Sequence, residues 1–198
     1  RSTLFPYTTL FRSPAGLQMA KEYRLGEVLI SRERIAERVA ELAREIALDN
    51  GGRRELLVVG ILTGAVFFLT DLVREMPDDL DVHIDFMSVS SYADATKSSG
   101  VVRILHDLKN SVEGIDVLIV EDIVDTGLTL SYLQDLLRAR RPASLRTCVL
   151  LDKSARRETA VKVDYCGFEI PDAFVVGYGL DYAGKWRHLK DIRSVEAL

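Results

Sequence analysis

Val117-Leu118-Ile119-Val120-Glu121-Asp122-Ile123-Val124-Asp125-Thr126-Gly127-Leu128-Thr129-Leu130 decides the fold of this chain. Its first four residues are an apolar run rich in β-branched side chains, as expected of a strand buried on both faces of a parallel sheet. Two carboxylates end the run, and a third follows three residues later. Leu130, Leu133, Leu136 and Leu137 recur at helical spacing, so a helix is predicted to start near Gly127 or Leu128. The first turn of a helix has N–H groups without internal partners, and its dipole favours an anion. Gly127 lets the backbone approach that anion, and Thr126 and Thr129 add hydroxyl donors. Glu121 and Asp122 repel a phosphate, but they accept hydrogen bonds from sugar hydroxyls or bind a divalent cation through oxygen. A ligand carrying vicinal hydroxyls and a phosphate suits this strand mouth. The plainer reading is an acidic strand-to-helix loop with an Asp-Thr-Gly cap.

Outward from this stretch, strand and helix patterns alternate. Residues 27–30 read as a short strand and Ser31 as a helix N-cap, with Glu33 in the first turn where a carboxylate suits the dipole. Ile35, Val39, Leu42 and Ile46 mark one helical face that ends before Asn50-Gly51-Gly52. Residues 55–62 read as a buried strand, Thr63-Gly64-Ala65 as a tight junction, and 66–76 as an apolar helix. Strands are also predicted over 81–88, 101–105, 145–151 and 173–178, with a polar, small-residue loop over 92–100. Such alternation predicts an α/β fold, a parallel twisted sheet flanked by helices with right-handed crossovers. No repeat or linker divides residues 19–198, which are read as a single domain. Residues 1–18 are set aside as a non-native or disordered leader, because 3–13 match the translation of a common sequencing-library adapter.

The chain has 198 residues, 28% charged and 47% hydrophobic, with a formal net charge of −4. A core of ordinary size fits that length. No basic face suited to nucleic acid is visible, and Arg138-Ala139-Arg140-Arg141 reads as a solvated helix end. No apolar run reaches membrane-spanning length. Cys148 and Cys166 sit in apolar contexts and read as buried thiols, while His83, His106 and His188 lack ligand spacing. A cytoplasmic protein is expected.

The Glu121-to-Thr129 string resembles the 5-phosphoribosyl pyrophosphate (PRPP) signature of the type I phosphoribosyltransferase family. Two further stretches resemble its hypoxanthine-guanine branch, in a bacterial-length form. Ser90-Ser91-Tyr92 with Ser98 to Leu108 is similar to that branch's mobile loop and following strand, and Phe168 to Tyr182 to its purine-binding segment. The likeness runs from about Leu25 to Ile192. It implies a type I phosphoribosyltransferase fold with a small hood subdomain built from the two chain ends. The implied activity is purine salvage: PRPP and hypoxanthine or guanine give IMP or GMP and pyrophosphate, with Mg2+ as cofactor. A homodimer or homotetramer is expected, without nucleic acid or membrane as partner.

The resemblance also assigns residues. Glu121 and Asp122 face the ribose hydroxyls and the metal, with Asp181 as a further metal ligand. Asp125, Thr126, Gly127, Leu128 and Thr129 surround the 5′-phosphate, and Asp125 is the catalytic acid/base at purine N7. Thr63 and Gly64, in a loop where a non-proline cis peptide is common, bind pyrophosphate together with Arg187. Lys153 donates to the purine 6-oxygen, Phe174 stacks on the base, and Val175 and Asp181 complete its pocket. Ser91 and Tyr92 belong to the loop that closes over the reacting centre. Two positions depart from the pattern. Leu128 stands where many relatives carry lysine, and Thr63 where lysine or arginine is frequent. The alternatives are a PRPP-binding regulator of the same fold and a transferase preferring xanthine.

Overall fold

The computed structural model describes residues 23–50, 55–91 and 102–197. The expected leader, and Tyr92 with the rest of the predicted loop to Gly100, lie outside these residues. The elements run β1 (Tyr23–Ile30), α1 (Arg32–Asp49), β2 (Glu55–Leu62), α2 (Val66–Arg74), β3 (Asp81–Ser91), β4 (Val102–His106) and β5 (Asp116–Val124). They continue with α3 (Leu128–Arg138), β6 (Ser144–Asp152), a 3-10 turn (Ser154–Arg156), β7 (Tyr165–Glu169), β8 (Val175–Val176) and β9 (Ile192–Ala197).

Six strands form the main sheet in the order β4-β3-β2-β5-β6-β7. All neighbours pair in parallel except β3 with β4, which are antiparallel. The parallel α/β class expected from the sequence is therefore what the chain adopts. β5 sits between β2 and β6, and its side chains alternate between two cores. Leu118 and Val120 pack with Phe68, Leu69 and Leu72 of α2 and Leu42 and Ile46 of α1. Val117 and Ile119 pack with Leu130, Leu133 and Leu137 of α3. Helices on both faces are why the run Val117 to Val120 carries no polar residue.

A second sheet, β1-β9-β8, joins the chain's two ends antiparallel. It is the hood that the resemblance implied. The strand expected over residues 173–178 shrinks to Val175–Val176 and belongs to this hood, since Gly177, Tyr178 and Gly179 all take positive φ. β7 was not anticipated from the sequence; it forms the edge beyond β6. Ser31 caps α1 as predicted, its hydroxyl accepting from Arg34 N at 3.3 Å. The basic cluster at the end of α3 is spent on surface ion pairs. Arg138 meets Asp135, Arg140 meets Asp107 through two hydrogen bonds, and Arg141 meets Glu113.

Leu133 is fully buried, whereas Leu48 is 80% exposed. Leu133→Ala is expected to destabilise the fold by about 2–5 kcal/mol in urea titration, and Leu48→Ala by no more than about 0.5 kcal/mol.

Candidate functional site

The carboxyl ends of parallel strands β2, β5 and β6 open on one side of the sheet, where such folds place ligands. β5 does not stop at its acids but continues to Val124. Glu121 and Asp122 are thus held by sheet pairing: Glu121 lies opposite Val149 of β6. Only Asp125 to Gly127 form the turn. Gly127 takes φ +86°, and a Cβ there would come within 2.8 Å of the Thr159 carbonyl. α3 begins at Leu128, as expected. Thr126 Oγ1 accepts from Leu128 N at 3.4 Å, a long contact that occupies one first-turn amide only weakly.

Three neighbouring segments surround this turn and the acids before it. Lys153 N donates to Val124 O at 2.9 Å, and Glu158 N and Thr159 N donate to Thr126 O. The β2–α2 junction supplies the second side. The Leu62–Thr63 peptide is cis, as the family pattern suggested. Gly64 then presses on the acids: a Cβ would fall 1.5 Å from Asp122 Oδ2. The third side is the segment after β8, where Gly179 packs against the Gly64 carbonyl. Arg187 Nη1 donates to Gly179 O at 2.6 Å, and its Nη2 pairs with Asp181 Oδ1 at 2.5 Å.

The electrostatics of the acids follow from burial and like charge. Glu121 Oε2 is buried without a hydrogen-bond partner. Burial, aided by the neighbouring Asp122, pushes the Glu121 carboxyl well above the usual range. Burial also raises Asp122, to about 6, against the pull of the Ile123 backbone N–H and of Arg187. Among the described residues, neither carboxylate makes an ion pair or accepts from a hydroxyl, so the cost of burying its charge stands. Among the described residues, no three His, Cys, Asp or Glu side chains converge on one metal position. Asp181 in particular is engaged, by Arg187 and by Gly184 N at 2.7 Å.

Lys153 is buried, with 3% exposure, at the end of β6. Burial lowers its ammonium below the ordinary lysine value, while Asp125 and Asp172 counteract. Val175, in the hood strand β8, is buried. Phe174 meets the Tyr182 ring edge-on at 5.4 Å, and Tyr182 stacks with Trp186 at 6.2 Å. The backbone of Ser91 ends β3.

The structure therefore brings Thr63, Gly64, Glu121, Asp122, residues 125–129, Lys153, Asp181 and Arg187 to one end of the sheet. It adds residues that the sequence did not single out. Arg156 Nε lies 3.0 Å from Asp125 Oδ1, an ion pair not aligned as a hydrogen bond. Arg157 pairs through Nη2 with Asp152, and its Cδ lies 3.0 Å from where a Gly127 Cβ would be. Arg157 Nη1 is buried without a hydrogen-bond partner. Two arginines in a 3-10 turn have no periodicity to mark them, so pattern reading passes over them. Recesses of about 240 and 330 Å³ occur elsewhere, beside His83 and Lys109 and between α1 and α2, and neither includes residues 121–129.

A family model described as the phosphoribosyl transferase domain matches residues 29–183. The bifunctional protein TilS/HprT of Listeria innocua is 52% identical over 163 residues, which are 82% of this chain. The chain spans only 25% of that relative's length. A hypoxanthine-guanine phosphoribosyltransferase of Dictyostelium discoideum is 50% identical over 82% of this chain and 91% of its own. Among solved structures, a hypoxanthine-guanine phosphoribosyltransferase from Bacillus anthracis superposes with a TM-score of 0.82 at 42% identity. That match covers 89% of this chain and 100% of the other.

Asp122 has a sign that stability measurements can read. A carboxyl whose folded pKa is raised favours the fold while protonated, and loses that advantage as pH climbs from about 4 to about 6. In chelator, Asp122→Asn is therefore expected to melt higher than the parent at pH about 8, with the gap closing below pH about 4. A gap that is constant with pH would remove the buried carboxylate as its cause.

Proposed function

Because the chain belongs to the phosphoribosyl transferase domain family, we propose that it transfers the 5-phosphoribosyl group of PRPP to N9 of hypoxanthine and guanine. The products are IMP or GMP and pyrophosphate, so the protein is a purine salvage enzyme. The observation that carries the reading is Lys153, a nearly inaccessible lysine beside Asp125 at the ends of β5 and β6. A PRPP-binding regulator has no need of a buried donor for a base.

The residues divide the work by chemistry. Glu121 and Asp122 take the ribose hydroxyls, whose O–H groups relieve two buried carboxylates, one of them with an oxygen that has no protein partner. The amides of Gly127 to Thr129 and the hydroxyls of Thr126 and Thr129 hold the 5′-phosphate at the start of α3. Thr63, Gly64 and Arg187 take the pyrophosphate. The C1–oxygen bond to pyrophosphate breaks as the C1–N9 bond forms, and Asp125 receives the N7 proton. Lys153 donates to the 6-oxygen; an amino group there would leave the ammonium without an acceptor, which disfavours adenine. Phe174 and Val175 flank the base. Ser91 and Tyr92, with the loop that follows, exclude water from the electron-poor ribose.

Mg2+ suits the donor set. Oxygen ligands are what this ion prefers, and it is commonly held by one or two carboxylates together with substrate oxygens. Glu121, Asp122 and Asp181 would be the residues to hold it, together with oxygens of the substrate. Bound there, it would neutralise the leaving pyrophosphate. We place the enzyme in the cytoplasm, as a homodimer or homotetramer. Among the described residues no helix is long and apolar enough to cross a membrane.

A product assay with PRPP, Mg2+ and each of hypoxanthine, guanine, xanthine and adenine tests the proposal. Nucleotide from hypoxanthine and guanine is expected, and none from adenine. PRPP binding without turnover of any base would instead establish the regulator, and turnover of xanthine above the others the xanthine-preferring enzyme. Asp125→Asn is expected to lower kcat by roughly 100- to 10,000-fold while PRPP affinity, read by calorimetry, changes far less.

A further inference from the structure

Two residues outside the assignments above join the groups proposed to read the base. Lys153 Nζ faces Asp172 Oδ1 at 3.9 Å. The same oxygen accepts from Arg156 Nη1 at 3.2 Å. Arg156 in turn brings Nε to 3.0 Å from Asp125 Oδ1. Charges therefore alternate along one line, Lys153, Asp172, Arg156, Asp125. The four come from three parts of the chain: the end of β5, the turn after β6, and the loop between β7 and β8.

We infer that Asp172 and Arg156 are positioning residues for base recognition, bridging Lys153 to Asp125 and fixing the spacing between the donor for the purine 6-oxygen and the carboxylate for N7. This rests on the purine-salvage reading. O6 and N7 lie on one edge of the base, so the two protein groups must keep one separation to be used together. A lysine side chain alone does not keep it, because its stem is flexible and its ammonium is a point charge. A guanidinium is planar, with five N–H donors in a fixed fork, and can hold two carboxylates at once. The bridge is no part of the core. Asp172 is 58% exposed and Arg156 38% exposed at the side chain, so replacing either leaves the packing of both helix layers intact.

The bridge also bears on the charge of Lys153. The charged groups that face it are Asp125 at the end of β5, Asp172 from the β7–β8 loop, and Arg156 from the 3-10 turn. Burial weakens the ammonium, the two carboxylates sustain it, and Arg156 opposes it. Without Asp172, the neutral amine forms at lower pH. Donation by a charged lysine is present below its pKa and lost as pH rises through it. Asp172 thus widens the pH range over which a 6-oxopurine is held.

The test compares Asp172→Asn, Asp172→Glu and Arg156→Gln with the parent enzyme. Steady-state kcat and KM for hypoxanthine are measured from about pH 6 to about pH 10, with saturating PRPP and Mg2+, alongside thermal melting. In Asp172→Asn, KM for hypoxanthine is expected to start its alkaline rise at lower pH, reaching about tenfold above the parent where the two profiles diverge. kcat below that rise changes less than KM, and KM for PRPP stays within about twofold. Asp172→Glu restores the profile. Arg156→Gln raises KM for hypoxanthine and also slows kcat, because Asp125 loses its partner. A profile for Asp172→Asn that overlays the parent's, or a KM raised by the same factor at every pH, overturns the bridge and leaves the salvage reading standing. No nucleotide from the parent with hypoxanthine or guanine overturns the salvage reading, and the bridge with it.

Discussion

Two carboxylates side by side at the open end of a buried strand constrain everything around them. Glu121 and Asp122 follow four residues that are each at most 1% exposed. Sheet pairing carries them past the point where the apolar run ends, so neither can swing out into solvent as a loop residue would. Repulsion between them, added to desolvation, leaves a site that favours protonation until hydroxyls or a cation arrive. The neighbouring backbone is arranged to tolerate this. Gly64 is the one residue type that can stand against Asp122 without displacing it. Gly179 in turn rests on Gly64, and Arg187 ties Gly179 to Asp181. The second and third sides of the site are thus stacked on the acids.

How much of this was legible in the sequence depends on whether the signal was local. The strand over residues 55–62 and the end of α1 at Asp49 were readable, because an unbroken apolar run and a one-sided helical period need no knowledge of partners. The acids, Gly127 and the start of α3 were readable for the same reason, since one strand-turn-helix holds them all. Strand β7 was missed because Tyr165 to Glu169 mixes Cys, Gly and Glu; its identity comes from lying beside β6, a long-range fact. Residues 173–178 failed in the opposite sense. Phe174-Val175-Val176 has strand composition, but glycines at 177 and 179 and a left-handed Tyr178 turn the chain after two residues. The role of the hood could be inferred only through resemblance, since nothing in Tyr23 to Ile30 announces pairing with Ile192 to Ala197. Arg156, Arg157 and Asp172 were illegible for a further reason. Their significance is the partner each one meets, and a charged residue in a loop looks alike whether it meets water or another charge.

On the proposed reading, the departures at Thr63 and Leu128 ask where the countercharge for PRPP comes from. Lysines in those places would be mobile point charges at the rim, and Leu128, 39% exposed, offers none. The arginines of this site are built differently. Arg157 is anchored on Asp152 and lies behind Gly127 with Nη1 still unpartnered. Arg187 is anchored on Asp181 and on the Gly179 carbonyl. A guanidinium has five donors, so each can donate to a further oxygen without leaving its anchor. A side chain already fixed also loses less freedom per new hydrogen bond than a lysine drawn in from solvent. Part of each positive charge is offset in advance by its carboxylate, which weakens long-range attraction for an anion. What the pairing supplies in exchange is direction: the donors are set before the ligand arrives, beside backbone amides that need no charge to point the same way.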